Sequence, residues 1–476
     1  MSEELPKGWV WQTVDQVAAP GPYAVAIGPF GSNLLRQDYR DEGVRLVFVR
    51  DIKRGSFDGP TVHYVTPSKA KQLHQHTARA GDVLITKMGE PPGDTMIFPN
   101  DAPPAIITSD CIKLTPNLNA VDTKYLSFCL RSPAVRQQLE GITKGVAQQK
   151  ISLVNFRKIA LPVPPLAEQR RIVARIEELF ARTRQARADL LRIAPLAARY
   201  RDQCRRRAFE AEAGWLAQGD ELPLPSYEPP RRFEGLPNLP KGWRWAEMSS
   251  LGAVTGGITK NRQRVTQPIE IPYLRVANVY ADELRLGTIE TIRVSEAERE
   301  RVQLEAGDLL IVEGNGSVDQ IGRVAVWSGA IAGCGHQNHL IRVRPRKSIP
   351  TRFLVHWLMS PHGRSILEAV ASSSSGLHTL SLSKVSTIPV PVAPTRTAET
   401  VVATLDDAIA SSARTEHEAT RALALLDHLE RRILARAFRG ELVPQDPADE
   451  PASVTLARVQ GSAALPPRRG RPRRAA

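Results

Sequence analysis

The sequence contains one long unit twice. Residues 5–11 (LPKGWVW) return at 239–245 (LPKGWRW), and residues 81–85 (GDVLI) return at 307–311 (GDLLI). The offset between matching positions stays between 226 and 234 residues along the chain. Because the repeat is so long, each copy contains whole domains rather than one turn of a solenoid. Two similar modules at a fixed distance are suited to contacting two similar targets at a fixed distance.

The chain of 476 residues has room for two to four domains, each with its own core. Apolar residues make up 42% and charged residues 24%, which is typical of globular proteins. No apolar run approaches the roughly 20 residues that span a membrane, and the N-terminus lacks the apolar core of a signal peptide. The four cysteines are isolated in sequence, which fits a reducing compartment. We expect a cytoplasmic protein with no membrane partner.

The chain is strongly basic. It has 64 Lys and Arg against 50 Asp and Glu, a net charge of +14. A basic chain favours a polyanionic partner, because Lys and Arg release condensed counterions when they neutralise phosphates. The alternative is an Arg-rich proteome with no specific partner. Part of the positive charge lies in a cluster near the C-terminus, which consists of Arg468, Arg469, Arg471, Arg473 and Arg474. The cluster holds only part of the excess of basic residues, so the rest of the chain is basic too.

Each copy has the same order of segments. A short Trp-bearing segment is followed by runs of β-branched residues with Gly and Pro turns, then by a Pro-rich hinge and one long helix. We predict an α+β fold, a tandem pseudo-twofold repeat of two globular mixed α/β domains separated by two long paired helices, that is, a coiled-coil spacer. The predicted segments are an N-terminal segment (1–18), a first globular domain (19–150), a hinge and first long helix (151–215), a linker and second leading segment (216–251), a second globular domain (252–378), a hinge and second long helix (379–445) and a disordered basic tail (446–476).

The long helices carry matched apolar stripes. Positions in each copy follow alternating steps of four and three, and every member of the second stripe lies 229 residues after its counterpart. A narrow stripe of this kind packs against another helix of similar length, so we predict that the two helices pair within the chain, antiparallel or locally parallel. Pro195 lies inside the first helix and should kink or break it. The stripes include Ile172, Ile176, Leu179, Leu190, Val401, Leu405, Leu426, Leu429 and Ile433.

Four motifs carry a family resemblance. Residues 164–173 (PPLAEQRRIV) resemble the start of the central region in specificity subunits of Type I restriction-modification systems, and residues 432–442 (RILARAFRGEL) resemble the end of their second helix. Residues 28–32 (GPFGS) and the repeated Gly-Asp-Val/Leu-Leu-Ile strands look like the target-recognition domains of that family. The resemblance extends from Leu5 to about Gln445.

The resemblance implies a non-catalytic DNA-recognition subunit with two target-recognition domains, at 19–150 and 252–378. Each would read one half of a bipartite site in double-stranded DNA. The helices would set the spacer and dock two modification (methyltransferase) subunits, through the stripes and through Glu168, Gln169 and Phe438. S-adenosylmethionine, ATP and Mg²⁺ would be bound by the modification subunits and by restriction (motor-nuclease) subunits. This chain would hold no cofactor and no metal. The second copy departs from the motif, with residues 395–398 (TRTA) in place of 166–169 (LAEQ).

Two other functions stay open on the sequence. One is a two-headed protein–protein scaffold; the other, less favoured, is a stand-alone DNA methyltransferase or nuclease. The string nearest to an Asn/Asp-Pro-Pro-aromatic methyltransferase motif is 90–93 (EPPG), which lacks both the amide and the aromatic residue, and no phosphate-binding loop is present. Cys334, His336 and His339 have too few neighbouring ligands to favour zinc over a structural or DNA-facing role.

The candidate DNA-binding residues lie after predicted strands or in polar and Gly-rich loops. Base edges are read by Arg, Lys, Asn, Gln and sometimes His, and phosphates are contacted by Lys and Arg. Any one of these residues alone is better explained as a solvated surface side chain. As sets on loops, we predict that they contact DNA: Arg50, Lys53, Arg54, Lys87, Lys144, Gln148, Gln149 and Lys150 in the first domain, and Lys260, Asn261, Arg262, Asn315, Gln337, Asn338 and His339 in the second.

Overall fold

The computed structural model describes residues 4–144, 149–233, 235–314, 322–371 and 379–463. The chain divides into two compact units, Met1–Leu190 with Arg421–Ala476 (unit 1) and Leu191–Thr420 (unit 2). Each unit contains the globular part of one copy and portions of both long helices. Both units mix helices and sheets, so the predicted α+β fold with two globular domains and helical spacers is confirmed.

Unit 1 is built from short strands and mostly short helices. Its strands are β1 (Val10–Thr13), β2 (Val25–Ile27), β3 (Val44–Val47), β4 (Tyr64–Val65), β5 (Thr77–Ala78), β6 (Val83–Thr86), β7 (Thr95–Ile97), β8 (Ala105–Ile107), β9 (Cys111–Leu114), β10 (Thr143–Lys144), β11 (Lys150–Ile151) and β12 (Ala160–Val163). Its helices are α1 (Val14–Val17), α2 (Val49–Arg54), α3 (Pro67–Gln72), α4 (Thr123–Arg131), α5 (Pro133–Gly141), α6 (Leu153–Phe156) and α7 (Leu166–Leu191).

Two four-stranded sheets form the centre of unit 1. Their orders are β2-β9-β6-β7 and β4-β3-β8-β5, and the chain passes from one to the other between β8 and β9. Strand β6 is buried along its whole length because alternate residues face different clusters: Val83 and Ile85 face the cluster that holds α4, and Leu84 faces a second one. A strand buried on both faces reads as a continuous apolar run, which is why 83–86 was recognisable in the sequence. Strands β1 and β12 pair antiparallel and fasten the N-terminal segment to the hinge.

Unit 2 repeats this plan. After α8 (Ile193–Ala208) its strands are β13 (Arg244–Glu247), β14 (Gly252–Gly256), β15 (Ile269–Leu274), β16 (Val279–Tyr280), β17 (Glu283–Leu284), β18 (Glu290–Val294), β19 (Leu309–Val312), β20 (Val324–Val326), β21 (Gly335–His336), β22 (Leu340–Pro345) and β23 (Pro389–Val392). Its helices are α9 (Met248–Leu251), α10 (Glu296–Val302), α11 (Thr351–Met359), α12 (Pro361–Ala371), α13 (Leu382–Ser386) and the start of α14 (Thr395–Ala437). The sheet orders are β14-β22-β19-β20 and β18-β15-β21, and β13 pairs with β23.

The first long helix is interrupted and the second is continuous. Helix α7 ends at Leu191 and α8 begins at Ile193, whereas α14 runs unbroken through 43 residues. Pro195 has no N–H to donate to the carbonyl of Leu191, so the helical hydrogen-bond ladder cannot continue at this point. The break predicted from Pro195 is confirmed.

The helices pair antiparallel in both units. In unit 1 the Thr183 hydroxyl donates to Glu430 over 2.7 Å, and Arg187 pairs with Asp427 at 2.6 Å. In unit 2 Arg201 pairs with Glu416 at 2.8 Å. Residue numbers rise along one helix as they fall along the other, which excludes the parallel alternative.

Most of the predicted stripe is buried or half-buried, and its exposed positions are Tyr200, Thr415 and Leu429. Ile172, Ile176, Val401, Leu405 and Ile433 lie in the cores, and Leu179, Leu190 and Leu426 are half-buried. Leu429 is 46% exposed, so its assignment to the seam was wrong. The buried positions in the middle of the seam carry small side chains, which allow two helices to pack closely: Thr183, Ala197, Ser412 and Ala419.

Each globular core is completed by the end of a helix from the other copy. Phe438 follows α14 and contacts Tyr125 in unit 1, with 5.2 Å between the ring centroids. Phe209 follows α8 and lies in unit 2 among Trp243, Phe353 and Trp357. The repeated Arg-Ala-Phe string of the sequence therefore marks two equivalent core anchors.

The segment predicted as a disordered tail contains a helix. Helix α15 (Ala452–Ala463) buries Ala452 and Leu456 against unit 1, and Arg171 pairs with Asp449 at 2.6 Å. The prediction of disorder was wrong for this part, because two apolar positions one turn apart are too short a pattern to recognise in a sequence. The cluster of arginines at 468–474 lies outside the described residues. No helix in the described part of the chain is long and apolar enough to cross a membrane.

Candidate nucleic-acid interface

The carboxyl ends of four strands meet at one edge of unit 1. Ile27 at the end of β2 pairs with Ile112, Thr86 at the end of β6 pairs with Cys111, and β3 and β8 end side by side. The loops that follow these strands therefore lie together. We call this set of residues edge 1; it comprises 28–32, 48–54, 87–90, 108–110 and the adjoining hairpin residues 149–150.

The loop after β2 requires a glycine at its start. A Cβ at Gly28 would lie 2.1 Å from the backbone of Thr108, so any side chain would collide with the turn between β8 and β9. Gly257 in unit 2 is equivalent, with 2.2 Å to the carbonyl oxygen of His336. The GPFGS string is thus a close backbone contact, and it brings Phe30 to the surface, where the side chain is 53% exposed.

Lys87 is the central cation of edge 1. Its ammonium donates to the Ser109 carbonyl over 3.3 Å and lies 4.2 Å from the centroid of the Phe30 ring. The residue is 8% exposed, and burial lowers the pKa of its amine, partly offset by Asp110. The neighbouring Lys150 lowers the pKa of Lys87 further, which places two predicted cations in one electrostatic field.

Helix α2 presents three predicted cations at the end of β3. The amide of Phe48 donates to the buried Asp51 over 2.8 Å, which fixes the first turn of the helix. Arg50 donates to the Thr61 carbonyl over 3.0 Å and stacks 4.5 Å from the Phe48 ring centroid. Lys53 and Arg54 lie exposed in the last turn. Of the three, Arg50 is held in one orientation next to the strand ends.

The hairpin β10–β11 closes edge 1. Lys150 forms a β-bridge with Met88, and the amide of Ile151 donates to the Lys87 carbonyl over 2.9 Å. Gln149 and Lys150 are exposed. Lys144 belongs to β10, but its side chain and all of Gln148 lie outside the described residues.

Unit 2 has an equivalent edge. Leu274 at the end of β15 pairs with His336, Val312 at the end of β19 pairs with Leu340, and β14 ends opposite Ile341. Edge 2 comprises residues 257–262, 275–278, 313–314, 337–339 and 379–380. It contains six of the seven residues predicted in this domain; Asn315 lies outside the described residues.

Edge 2 contains more acidic partners than edge 1. Lys260 pairs with Glu290 at 3.2 Å, and Arg275 pairs with the same carboxylate at 2.7 Å. These cations lower the pKa of Glu290, with the hydrogen bond from Lys260 as the largest cause. Asn261 and Arg262 are exposed, and His339 lies 2.9 Å from Glu313. Gln337 and Asn338 are half-buried in the turn between β21 and β22.

Two edge residues were missed in the sequence. Phe30 lies inside the GPFGS motif, and Arg275 follows the strand β15 just as residue 48 follows β3. An Arg directly after an apolar strand is the signal that selected Arg50, so Arg275 was available to the same argument. Phe30 was not, because an aromatic residue in a Gly-Pro loop is equally typical of a core anchor.

Cys334 and His336 are core residues. Both are 0% exposed, and His336 Nδ1 lies 3.0 Å from the Val302 carbonyl. Burial lowers the pKa of His336 to about 4, so the ring is neutral at pH 7. Within the described ranges no group of three His, Cys, Asp or Glu side chains is arranged to hold a metal ion.

Known proteins have sequences similar to that of this chain. The profile described as "Type I restriction modification DNA specificity domain" matches residues 52–191. The Type I restriction enzyme EcoKI specificity subunit of Escherichia coli (strain K12) is 25% identical over 464 residues, covering 95% of this chain and 93% of the relative. The StySPI specificity subunit of Salmonella potsdam is 22% identical over 95% of this chain and 93% of its own length. The chain belongs to the family of Type I restriction-modification specificity subunits.

Solved structures have the same fold. A chain from work on complex assembly and conformational transition of the type I R-M system superposes with a TM-score of 0.65 at 20% identity, covering 92% of this chain and 100% of that one. The HsdS subunit from Thermoanaerobacter tengcongensis superposes with a TM-score of 0.57 at 19% identity, covering 92% and 99%.

In this specificity subunit three residues predicted to dock partner subunits are internal. Glu168 is 1% exposed and accepts a hydrogen bond from the Trp9 indole over 3.1 Å. Gln169 is 0% exposed and donates to the carbonyls of Ala120 and Pro164. Phe438 is part of the unit 1 core. The prediction was wrong for these residues, because a motif at a helix start does not reveal which face of the helix the hinge covers.

The departing motif at the second helix start has an analogous internal role. Thr397 occupies the position equivalent to Glu168 and accepts a hydrogen bond from the Gln218 amide over 2.8 Å. The linker thus lies on the start of α14 in unit 2, as the segment after α14 lies on the start of α7 in unit 1. The sequence difference between the two helix starts therefore reflects different internal contacts.

Proposed function

We propose that this specificity subunit reads one half of a bipartite DNA site with edge 1 and the other half with edge 2. The observation that carries the proposal is the duplication of one edge geometry: the same strand ends gather Arg, Lys and Gln side chains in both units, and unit 2 adds Asn and His. These are the side chains that contact base edges and phosphates. Half-sites read on one face of DNA lie about one helical turn apart, roughly 34–36 Å, or a multiple of it.

Modification subunits dock, on this proposal, on exposed apolar positions of the helices. Large apolar side chains that face solvent on a helix are typical of a partner surface. In unit 2 they are Leu191, Leu196 and Tyr200, each more than half exposed, and in unit 1 they are Leu425 (67%) and Leu429 (46%). Leu429, which does not pack in the seam, would thus contact a modification subunit. Glu168 and Gln169 are buried and cannot make this contact.

The recognition subunit does no chemistry of its own on this proposal. The chain lacks a phosphate-binding loop and an Asn/Asp-Pro-Pro-aromatic motif. S-adenosylmethionine would be bound by the two modification subunits, and ATP and Mg²⁺ by the restriction subunits. This chain would hold no cofactor and would act in the cytoplasm, where the DNA of the cell lies.

The test is site-specific binding by the assembled complex. The subunit is purified with its modification subunits, and methylated adenines and protected sequences are mapped on genomic DNA. We expect one bipartite motif, and an affinity that falls linearly on a log–log plot as salt rises. Absence of any bipartite motif would refute the proposal. An affinity insensitive to salt would favour a protein–protein scaffold, and methyl transfer by this chain alone would establish an enzyme.

A further inference from the structure

Lys87 and Glu313 occupy the same place in the two edges. The amide of Lys87 donates to the Asp110 carbonyl over 2.8 Å, and the amide of Glu313 donates to the His339 carbonyl over 2.9 Å. The carbonyl of Lys87 accepts from the amide of Ile151, and that of Glu313 accepts from Leu380. Each residue directly follows the equivalent strand, β6 or β19. The two backbones are therefore equivalent, and only the side chains differ.

The charges at this place are inverted between the units. In edge 1 a cation at 87 lies beside an acid, Asp110, which raises the pKa of Lys87 against the effect of burial. In edge 2 an acid at 313 lies 2.9 Å from the imidazole of His339, the counterpart of Asp110. Phosphate binding alone would place cations at both positions, since a carboxylate repels the DNA backbone.

A carboxylate on a DNA-binding surface is useful when it accepts a hydrogen bond from the amino group of a base. Glu313 Oε2 is engaged by His339, and the side chain is 28% exposed. Glu and Asp accept from the N4 amino group of cytosine, whereas Lys donates to O6 and N7 of guanine. At Lys87 one donor is directed to Ser109, and the ammonium lies next to the exposed ring of Phe30.

We infer that residues 87 and 313 are specificity-determining residues, with Lys87 selecting guanine in one half-site and Glu313 selecting cytosine at the corresponding position of the other. The inference rests on the proposed function and deepens it, because it assigns one base position in each half to one side chain. The Ser109 carbonyl orients the Lys87 ammonium and His339 orients the Glu313 carboxylate in the absence of DNA.

The experiment uses the complete chain with its modification subunits and duplexes randomised at every position of the bipartite site. Lys87→Met keeps the aliphatic stem and removes the ammonium, and Glu313→Gln keeps the shape, removes the charge and puts an amide donor in place of one acceptor oxygen. We expect each variant to lose about tenfold preference at one base position of one half-site, with the other half unchanged. Melting temperatures of both variants, measured in parallel, verify that they are folded.

Matched controls remove the same charges far from the edges. Lys158 is exposed and follows Arg157, which contacts the start of β2 at the opposite end of the sheet, so Lys158→Met should leave every base preference intact. Glu247 ends β13, before the start of β14 and away from edge 2. Glu247→Gln is therefore the control for Glu313→Gln. A uniform loss of affinity over all sequences in Lys87→Met and Glu313→Gln, or unchanged preferences in both, overturns the inference while leaving the proposed function standing. A wild-type complex that reads no bipartite site overturns both.

Discussion

Glu168 is a buried carboxylate whose surroundings assign it a structural role. One oxygen accepts the Trp9 indole N–H, and the other, Oε1, has no hydrogen-bond partner among the described residues. Burial raises the pKa of this carboxyl group. The side chain therefore fastens the N-terminal segment to the start of α7, and one of its two oxygens contributes nothing to that contact.

Replacing Glu168 by Ala should destabilise the subunit by about 1–3 kcal/mol, because the buried indole N–H of Trp9 loses its acceptor. Glu168→Gln retains an acceptor and should stay within about 1 kcal/mol of wild type. Urea unfolding of the purified chain measures both. Equal stability of the two variants, with a selective loss of affinity for modification subunits, would restore the docking role.

His356 is a buried imidazole in a charged cluster of unit 2. It is 0% exposed, and its Nε2 lies 3.0 Å from Asp406, which also pairs with Arg352. Burial is the main cause that lowers the pKa of His356 to about 4; Arg352 and Arg205 act in the same direction, while Asp406 and Asp282 oppose them. The ring is therefore neutral in the native state at pH 7.

Acid should destabilise the subunit through His356. The unfolded chain binds a proton near pH 6.5 and the native chain only near pH 4, so stability is complete above pH 6.5 and is lost as the pH falls towards 4. The loss is about 1.4 kcal/mol per pH unit in this window. His356→Gln keeps a donor for Asp406 and should flatten melting temperature against pH between 6.5 and 5. A slope identical to wild type would contradict this.

At the scale of elements, the helix seam depends on small side chains. Ser412 is buried, and its hydroxyl donates to the Ala197 carbonyl over 3.4 Å. Thr415, a neighbouring position of the same predicted stripe, is exposed instead. The four-three spacing of the stripe predicted which face of the helix packs against its partner. It did not distinguish positions that contact the partner helix from positions beside that contact.

Ser412→Leu should destabilise the helix pair by about 1–3 kcal/mol, since a large side chain cannot enter a close-packed contact without moving the backbone. Thr415→Leu adds similar apolar bulk at an exposed position and should change stability by less than about 0.5 kcal/mol. Circular dichroism during thermal unfolding compares the two. A similar effect of both substitutions would show that seam packing does not limit the size of residue 412.

The positions of elements with strong local sequence signals were predictable, but the solvent exposure of their individual residues was not. The apolar run at 83–86, the break before Pro195 and the paired stripes all follow from local chemistry or periodicity. Leu429 fits the stripe equally well yet faces solvent, because burial depends on the distance between two backbones that are remote in sequence. Helix α15 escaped prediction because its two buried residues gain their meaning only from the surface they cover.

At the scale of the whole molecule, the sequence predicted that reading residues lie after strands, but not which strand ends meet. A β-bridge between Met88 and Lys150 brings Lys87 and Lys150 together, whereas Arg54 lies in the last turn of α2. Sheet order and register decide such neighbourhoods, and neither is encoded in local composition. The internal repeat was the strongest indication of the site, because two copies of one set of loops indicate a shared function.

Two truncations separate the roles of the C-terminal segment. A chain ending at Gln445 loses α15 and the Arg171–Asp449 ion pair, and should lose about 2 kcal/mol of stability through exposure of the surface that Leu456 covers. A chain ending at Ala463 keeps these contacts and should unfold like wild type. It loses five arginines and should show a shallower salt dependence of DNA binding. Equal melting temperatures of the two truncations would contradict the packing role of α15.

The exchange of helix ends between copies has a consequence for biosynthesis. Unit 2 is one uninterrupted stretch, so all its parts leave the ribosome in succession. Unit 1 needs Phe438 and the Arg171–Asp449 contact, whose partners are 278 residues apart. Its nascent N-terminal half must therefore wait, incompletely packed, until translation is nearly finished, and such contacts between distant parts of a chain form slowly. The half made first is the half completed last, which exposes it to chaperones and proteases throughout synthesis.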